Sequence, residues 1–264
     1  MNFNSYNKRM SIFKSEKFQK IFYPIFYLVF TVAITISGCF IFQRYYYTNI
    51  FVSGSSMLPT LVGGENSKNI HHYGIADTSD NAINGLNRFD VVIANFPSSW
   101  GTGQGGLVVK RIWGFPGESI SLHTTSEVIN EKTVYTSTFA VRRGEEEIYT
   151  VTAHDITRTV DLIYKKEEMT LFEFNTGKKV FNTNTKELRN FNINLGSDEY
   201  FVMGDNWGNS SDSYKNISSV DKLTRKYIKG RVVCIQGYAE VEKEPGTDNY
   251  IITTKYPSKA KYIF

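Results

Sequence analysis

The sequence predicts a mainly β protein held behind one transmembrane helix. Three observations carry that expectation. Ile21 to Phe42 (IFYPIFYLVFTVAITISGCFIF) is a run of 22 residues without a charge. From Arg88 onward apolar alternation dominates, and no long stretch keeps the helical period. Aromatic residues are abundant, with 19 Phe, 17 Tyr and 3 Trp in 264 residues, and such rings suit strands and membrane interfaces.

The anchor comes first. As a helix the apolar run spans about 33 Å, the depth of a bilayer's hydrocarbon core. Pro24 falls in the first turn of that run, where it costs least. Basic residues precede the run, and Gln43-Arg44-Tyr45-Tyr46-Tyr47 follows it. The basic end is expected in the cytoplasm, with the tyrosines at the outer interface and the chain after about residue 48 extracytoplasmic. A cleavable leader has a shorter apolar core, of about 7–15 residues. Ile36-Ser37-Gly38-Cys39 looks like a lipoprotein cleavage box, but Phe40-Ile41-Phe42 carries the apolar run past the cysteine. An uncleaved anchor is therefore the expectation.

The charge balance narrows the partners. The formal net charge is +4. Lys8, Arg9, Lys14, Lys17 and Lys20 against Glu16 account for all of it, so the rest of the chain is neutral. A neutral body lacks the basic face that nucleic acid requires. The two cysteines, Cys39 and Cys234, lie far apart, one of them within the apolar run, and make no disulfide framework.

The outer segments follow in order. Residues 63–86 read as a polar loop or short lid. Arg88–Ala94 and Gly106–Trp113 read as strands, the second ended by the turn Gly114-Phe115-Pro116-Gly117. Tyr200–Met203 and Arg231–Ile235 read as two more. Residues 121–198 are rich in Thr, Glu, Asn and Lys and include a hairpin-like stretch, Phe172–Phe181. They are expected to form an inserted β lobe. The organisation is thus a basic tail over 1–20, the anchor over 21–42, a core from 48–120 and 199–240, the lobe over 121–198 and a tail over 241–264 that is either loose or a late strand.

The chemistry turns on VSGSSMLPTL, residues 52–61. A serine hydroxyl is a weak nucleophile until a base takes its proton. Histidine is the usual base, but His71, His72, His123 and His154 all fall in loop or insertion sequence; His71 and His72 could reach Ser56 across a loop, though most such histidines are simply solvated. Lys110 is the better candidate. On a strand it shares a face with Val108 and Ile112. If that face is buried, the ammonium loses hydration and its pKa falls, which lets a neutral amine act as a base near pH 7. The bland reading is a lysine snorkelling from a sheet edge. Gly204-Asp205-Asn206-Trp207-Gly208-Asn209-Ser210-Ser211-Asp212-Ser213 is a dense polar turn after an apolar strand. It lacks the acidic alternation and terminal Glu of a calcium hand. No zinc spacing or phosphate-binding glycine loop occurs, so no metal and no cofactor are expected.

Four pieces stand in order along the chain: Ser55-Ser56-Met57-x-Pro59-Thr60-Leu61, Arg88-Phe89-Asp90-Val91-Val92, Val109-Lys110-Arg111-Ile112-x-Gly114-x-Pro116-Gly117-Glu118, and Gly204-Asp205-Asn206-x-x-Asn209-Ser210-x-Asp212-Ser213. Together they resemble the successive boxes of bacterial type I signal peptidases. The resemblance covers residues 21–62, 88–120 and 199–238. It implies a signal-peptidase-like antiparallel β core with the inserted lobe, and a membrane-bound serine endopeptidase that removes signal peptides from secreted precursors after an Ala-x-Ala-like sequence. By position, it makes Ser56 the nucleophile and Lys110 the general base. Ser210 would orient the lysine and Asp212 would brace the loop. The Ser56 backbone N–H would hold the oxyanion; Gly54 stands where some members carry a second, hydroxyl donor. Val52, Met57, Leu61 and Val109 would line pockets for small side chains. The implied partners are precursor proteins with signal peptides and the lipid bilayer.

Two positions depart from the family pattern, since Trp207 and Tyr214 stand where its last box carries arginines. Ser56 lies 14 residues beyond Phe42, so the site can rest on the outer membrane surface. Phe96, Trp100 and Trp113 suit either the interface or the core. The competing readings are a non-catalytic signal-peptidase-like chaperone for exported or pilus subunits, a soluble Ser–Lys self-cleaving regulator, and a plain anchored β-domain that binds a partner. Retention of both Ser56 and Lys110 argues against the chaperone, and the anchor and neutral body against the regulator.

Overall fold

The computed structural model describes residues 16–58, 60–64, 69–97, 107–154, 159–164, 167–169, 190–206, 210, 213, 222–243 and 250–262. The chain divides into two units, Met1–Tyr46 and Tyr47–Phe264. The described part of the first is one helix, α1 (Glu16–Tyr46), long and apolar enough to cross a membrane. None of its residues is buried, as expected if lipid rather than protein is their solvent. Phe18, Phe22, Phe26 and Phe30 stack along one face, four residues apart, with ring centroids 5.2, 5.8 and 5.8 Å apart. Pro24 is not in the first turn as expected. It lies inside the helix, because the polar residues from Glu16 to Lys20 continue the helix upstream of the apolar run. A proline there is tolerable in a membrane helix, where local adjustment re-satisfies the freed carbonyl.

The second unit is built from antiparallel strands. One sheet runs β1 (Tyr47–Phe51), β2 (Ile70–Asp77), β13 (Ile228–Lys243), β3 (Val91–Asn95), β4 (Leu107–Gly114), β11 (Glu199–Met203) and β12 (Leu223–Thr224), with β14 (Tyr250–Tyr262) paired along the rest of β13. The other runs β10 (Phe191–Asn194), β5 (Ser119–Ile129), β6 (Lys132–Arg143), β7 (Glu146–His154), β8 (Thr159–Tyr164) and β9 (Glu167–Met169). Residues 119–194 thus supply the strands of the second sheet. The Phe172–Phe181 hairpin lies outside the described residues.

Strand β3 explains why its sequence, VVIAN, is apolar throughout rather than alternating. Val91 and Ile93 pack into one cluster with Val52, Met57 and Leu61, while Val92 and Ala94 pack into another with Ile112, Val202 and Phe96. A strand covered on both faces reads as a continuous apolar run. The third cluster joins the two sheets: Trp113 of β4, Phe139 of β6, Tyr149 of β7 and Phe201 of β11 are all fully buried. The Tyr149 hydroxyl satisfies itself on the Trp113 carbonyl at 2.5 Å. Between the sheets the turn after β4 is tied down by Glu118, whose buried carboxylate accepts from Arg88 (2.5 Å), Arg143 (3.1 Å) and the Phe115 N–H (2.8 Å).

Several expectations change. Residues 63–86 are not simply a loop or lid, because they contain β2 and a short helix, α2 (Asp80–Asn84), capped by Ser79 Oγ on the Ala82 N–H. His71 and His72 therefore lie on a strand, and His123 lies on β5. The third strand starts at Val91 rather than Arg88. Asn87–Asp90 is a turn in which the Asp90 carboxylate accepts the Asn87 N–H (2.8 Å) and Phe89 takes a φ of 68°. Residues 250–262 form β14, the late strand of the two alternatives for the C-terminal segment. Phe96 and Trp113 are core residues; Trp100 lies outside the described residues.

Candidate active site

The segment 52–64 leaves β1 and folds back on itself. The Ser55 carbonyl accepts from the Leu58 N–H (3.0 Å), and the Met57 carbonyl accepts from the Leu61 N–H (2.8 Å). The result is a single tight turn with Ser56 at its start. Gly54 has a φ of 88°, which a residue with a Cβ rarely adopts. Met57 and Leu61, one turn apart, point the same way and are buried with Val52 in the cluster that Val109 also packs against. All four side chains expected to line a pocket are thus gathered in one place.

A second segment closes on this turn. Strand β11 ends at Met203, and Gly204-Asp205-Asn206 runs directly past Ser56. The Asn206 N–H donates to the Ser56 carbonyl (3.0 Å), and its side-chain amide donates to the Ser55 carbonyl (3.1 Å). A methyl group added at Gly204 would collide with both the Ser56 carbonyl and the Ser210 hydroxyl. Those two residues are therefore immediate neighbours across Gly204.

Lys110 reaches the same place from β4. Its Nζ donates to Ser210 Oγ at 2.8 Å, and the two residues are 3% and 2% exposed. The lysine stands opposite Val92 in the register and shares its face with Val108 and Ile112, so an aliphatic surface surrounds its stem. It does not snorkel. Ser56 is partly accessible, and its hydroxyl makes no hydrogen bond with another described residue. Catalytic hydrogen bonds in ligand-free enzymes are often long and tighten only with substrate.

The sequence reading missed the support beneath the site. Arg111, next to the lysine but on the opposite face of β4, forms a two-point ion pair with Asp205: Nε to Oδ1 at 2.8 Å and Nη2 to Oδ2 at 2.6 Å. Its remaining Nη1 donates to the Phe89 carbonyl (2.7 Å), and Thr60 Oγ1 donates to Asp205 Oδ2 (2.5 Å). Four segments of the chain are thereby locked together beside Ser56. Both charges are buried, and such a pair holds only when its remaining donors and acceptors are also satisfied. The one available signal was Asp205 immediately after an apolar strand; its partner, 94 residues away, could not be read from spacing. Asp212, expected to brace the loop, lies outside the described residues, as do Trp207 and Tyr214. Ser213, one residue beyond Asp212, is buried and exchanges hydrogen bonds with Val202, through both its backbone N–H and its hydroxyl at 3.1 Å. It fastens the end of the polar loop back onto β11.

A buried amine, a neighbouring serine hydroxyl and a serine turn held beside them are a hydrolase-like arrangement. The family model described as signal peptidase, peptidase S26, matches residues 23–236. The chain belongs to the S26 signal peptidases. Signal peptidase I U of Bacillus subtilis (strain 168) is 27% identical over 206 residues, which cover 78% of this chain and 82% of that protein. Among S26 signal peptidases an N-terminal apolar helix such as α1 is consistent with membrane anchoring, and the antiparallel β body fits the family.

Proposed function

We propose that this signal peptidase is an active, membrane-anchored Ser–Lys endopeptidase that cuts secreted precursors after small side chains. Ser56 Oγ attacks the scissile carbonyl carbon and its proton passes to neutral Lys110 Nζ. The Ser56 N–H steadies the oxyanion, a contribution worth several kcal/mol in other hydrolases. The lysine then hands the proton to the leaving amine. Water, deprotonated in turn by Lys110, releases the acyl group from Ser56. Ser210 orients the amine, and Asp212 is assigned the loop-bracing role by its place in the motif. Val52, Met57, Leu61 and Val109 select small side chains. The basic N-terminal tail stays in the cytoplasm, and the catalytic β body acts on the outer side.

The observation that supports this reading best is the dry Lys110 amine on Ser210 Oγ, one glycine away from Ser56. The decisive experiment is cleavage of a precursor bearing an Ala-x-Ala leader by the full chain in detergent. Turnover by the wild type, lost in both Ser56→Ala and Lys110→Ala, is the expected result. Activity surviving Lys110→Ala would overturn the base assignment, and an inactive wild type would overturn the enzyme reading.

A further inference from the structure

The turn that carries Ser56 is closed at its base by two adjacent histidines that the chemistry above does not use. It leaves β1 through Val52 and returns through Val62, and His72 of β2 meets both ends. The His72 carbonyl accepts the Val52 N–H (2.9 Å), and the His72 N–H donates to the Val62 carbonyl (2.8 Å). Antiparallel pairing would next send the Val62 N–H to the His72 carbonyl, which Val52 already holds. Instead the Val62 N–H donates to His72 Nδ1 at 3.2 Å. The ring nitrogen thus stands in for a missing backbone acceptor. His71, buried and stacked on Phe51, reinforces the same end: its Nδ1 lies 2.8 Å from the Val52 carbonyl. Inside this clasp the Gly54 N–H donates to the Gly63 carbonyl (2.8 Å), with no room for a side chain on Gly63.

We propose that His72 is a positioning residue for the peptidase: its unprotonated Nδ1 closes the 52–62 turn and so sets the Ser56 hydroxyl. The inference rests on the reading of Ser56 as nucleophile. It carries a pH consequence by hydrogen-bond chemistry alone. Protonating Nδ1 replaces an acceptor by a donor that faces the Val62 N–H, and the base of the turn opens. Ionisable groups beside this position on the paired strands include His71 and Tyr73 next to it, Tyr238 opposite it on β13, Glu240 opposite Ile70, and Lys255 of β14, whose ammonium lies 5.3 Å from the Tyr73 ring. The segment 53–64 itself carries no charged residue.

The test uses the full chain in detergent with two variants. His72→Phe keeps a ring and removes the acceptor; His72→Asn puts a carbonyl oxygen near the place of Nδ1 and does not titrate. Hydrogen exchange of the segment 52–64, read by mass spectrometry, should quicken in His72→Phe and match wild type in His72→Asn at neutral pH. On a leader peptide, His72→Phe should lose about ten- to hundredfold in kcat with little change in KM, the scale of a small misplacement of a reacting group. His72→Asn should recover most of it. Below neutral pH, log kcat should rise more steeply than one unit per pH unit in wild type, because Lys110 and His72 each lose a proton, and with a slope near 1 in His72→Asn. Wild-type exchange and kcat in His72→Phe, or an undiminished slope in His72→Asn, would overturn the proposal. A wild type with no turnover, but with quickened exchange in His72→Phe, would instead sink the peptidase reading and leave the clasp standing.

Discussion

Lys110 Nζ donates to Ser210 Oγ at 2.8 Å, with both side chains withdrawn from water. The hydrogen bond gives the buried amine a hydroxyl partner beside the Ser56 turn. Replacing Ser210 by Ala keeps the lysine in place but removes that partner. We expect kcat to fall by about a hundredfold with KM nearly constant, the signature of an interaction that matters at the transition state. Because the base must be neutral, wild-type kcat should rise with pH through the lysine's ionisation. Steady-state kinetics on a leader peptide across pH checks both statements, and an enzyme fastest in acid would contradict them.

Gly204 is the spacer between the Ser56 carbonyl and the Ser210 hydroxyl. Gly204→Ala should push these two apart, since neither neighbour at that point is the free end of a long side chain. Overpacking of this kind costs about 1–3 kcal/mol. Turnover should suffer more than stability, because a displacement of about 1 Å at reacting groups costs on the order of a hundredfold. Thermal melting and kinetics on one preparation separate the two effects.

Asp205 joins β4, the post-β11 loop and the Ser56 turn through Arg111 and Thr60. Asp205→Ala leaves the Arg111 guanidinium buried without its counter-charge, a loss of about 3–5 kcal/mol. Thr60→Ala removes one of several bonds to the carboxylate and should cost about 1 kcal/mol. Denaturant unfolding of the two variants should therefore differ several-fold in effect, and equal effects would show that the network is not organised around the ion pair.

Glu199 shows how pH acts on the fold rather than on the chemistry. Its carboxyl is held below the usual range, first by the Gly196 N–H at 2.7 Å and, less strongly, by Lys222 at 2.9 Å, against a partial loss of hydration. A depressed folded-state pKa favours the folded chain above the unfolded pKa, and that advantage disappears as pH falls through the folded value. Glu199→Gln should lower stability at neutral pH by no more than about 1 kcal/mol, because the group is partly exposed. The difference from wild type should vanish in acid. A pH series of melting temperatures tests the sign.

Much of the architecture was visible in the residues. β3, β4 and β11 announced themselves through β-branched and aromatic runs bounded by turn residues. The Ser56 turn and the lysine strand were legible as motifs. What escaped the reading had physical causes. Strand β2, IHHYGIAD, has two histidines and a glycine where apolar residues would mark a buried face. Its core contacts come from Ala76 and from the ring of His71. The anchor helix began earlier than expected because polar helix formers extend it beyond its apolar run.

The sequence by itself determined the apolar N-terminal run, the β character of the body and the serine and lysine candidates. These depend on local pattern: apolar length, side-chain alternation and residue type at short spacing. Only the tertiary structure decided that Lys110 is dry, that Arg111 pairs with Asp205 and that His72 completes the turn at Val62. Each of these is a contact between segments distant along the chain. Burial and hydrogen-bond partners across a sheet arise from how strands pair and pack, and no local pattern encodes them.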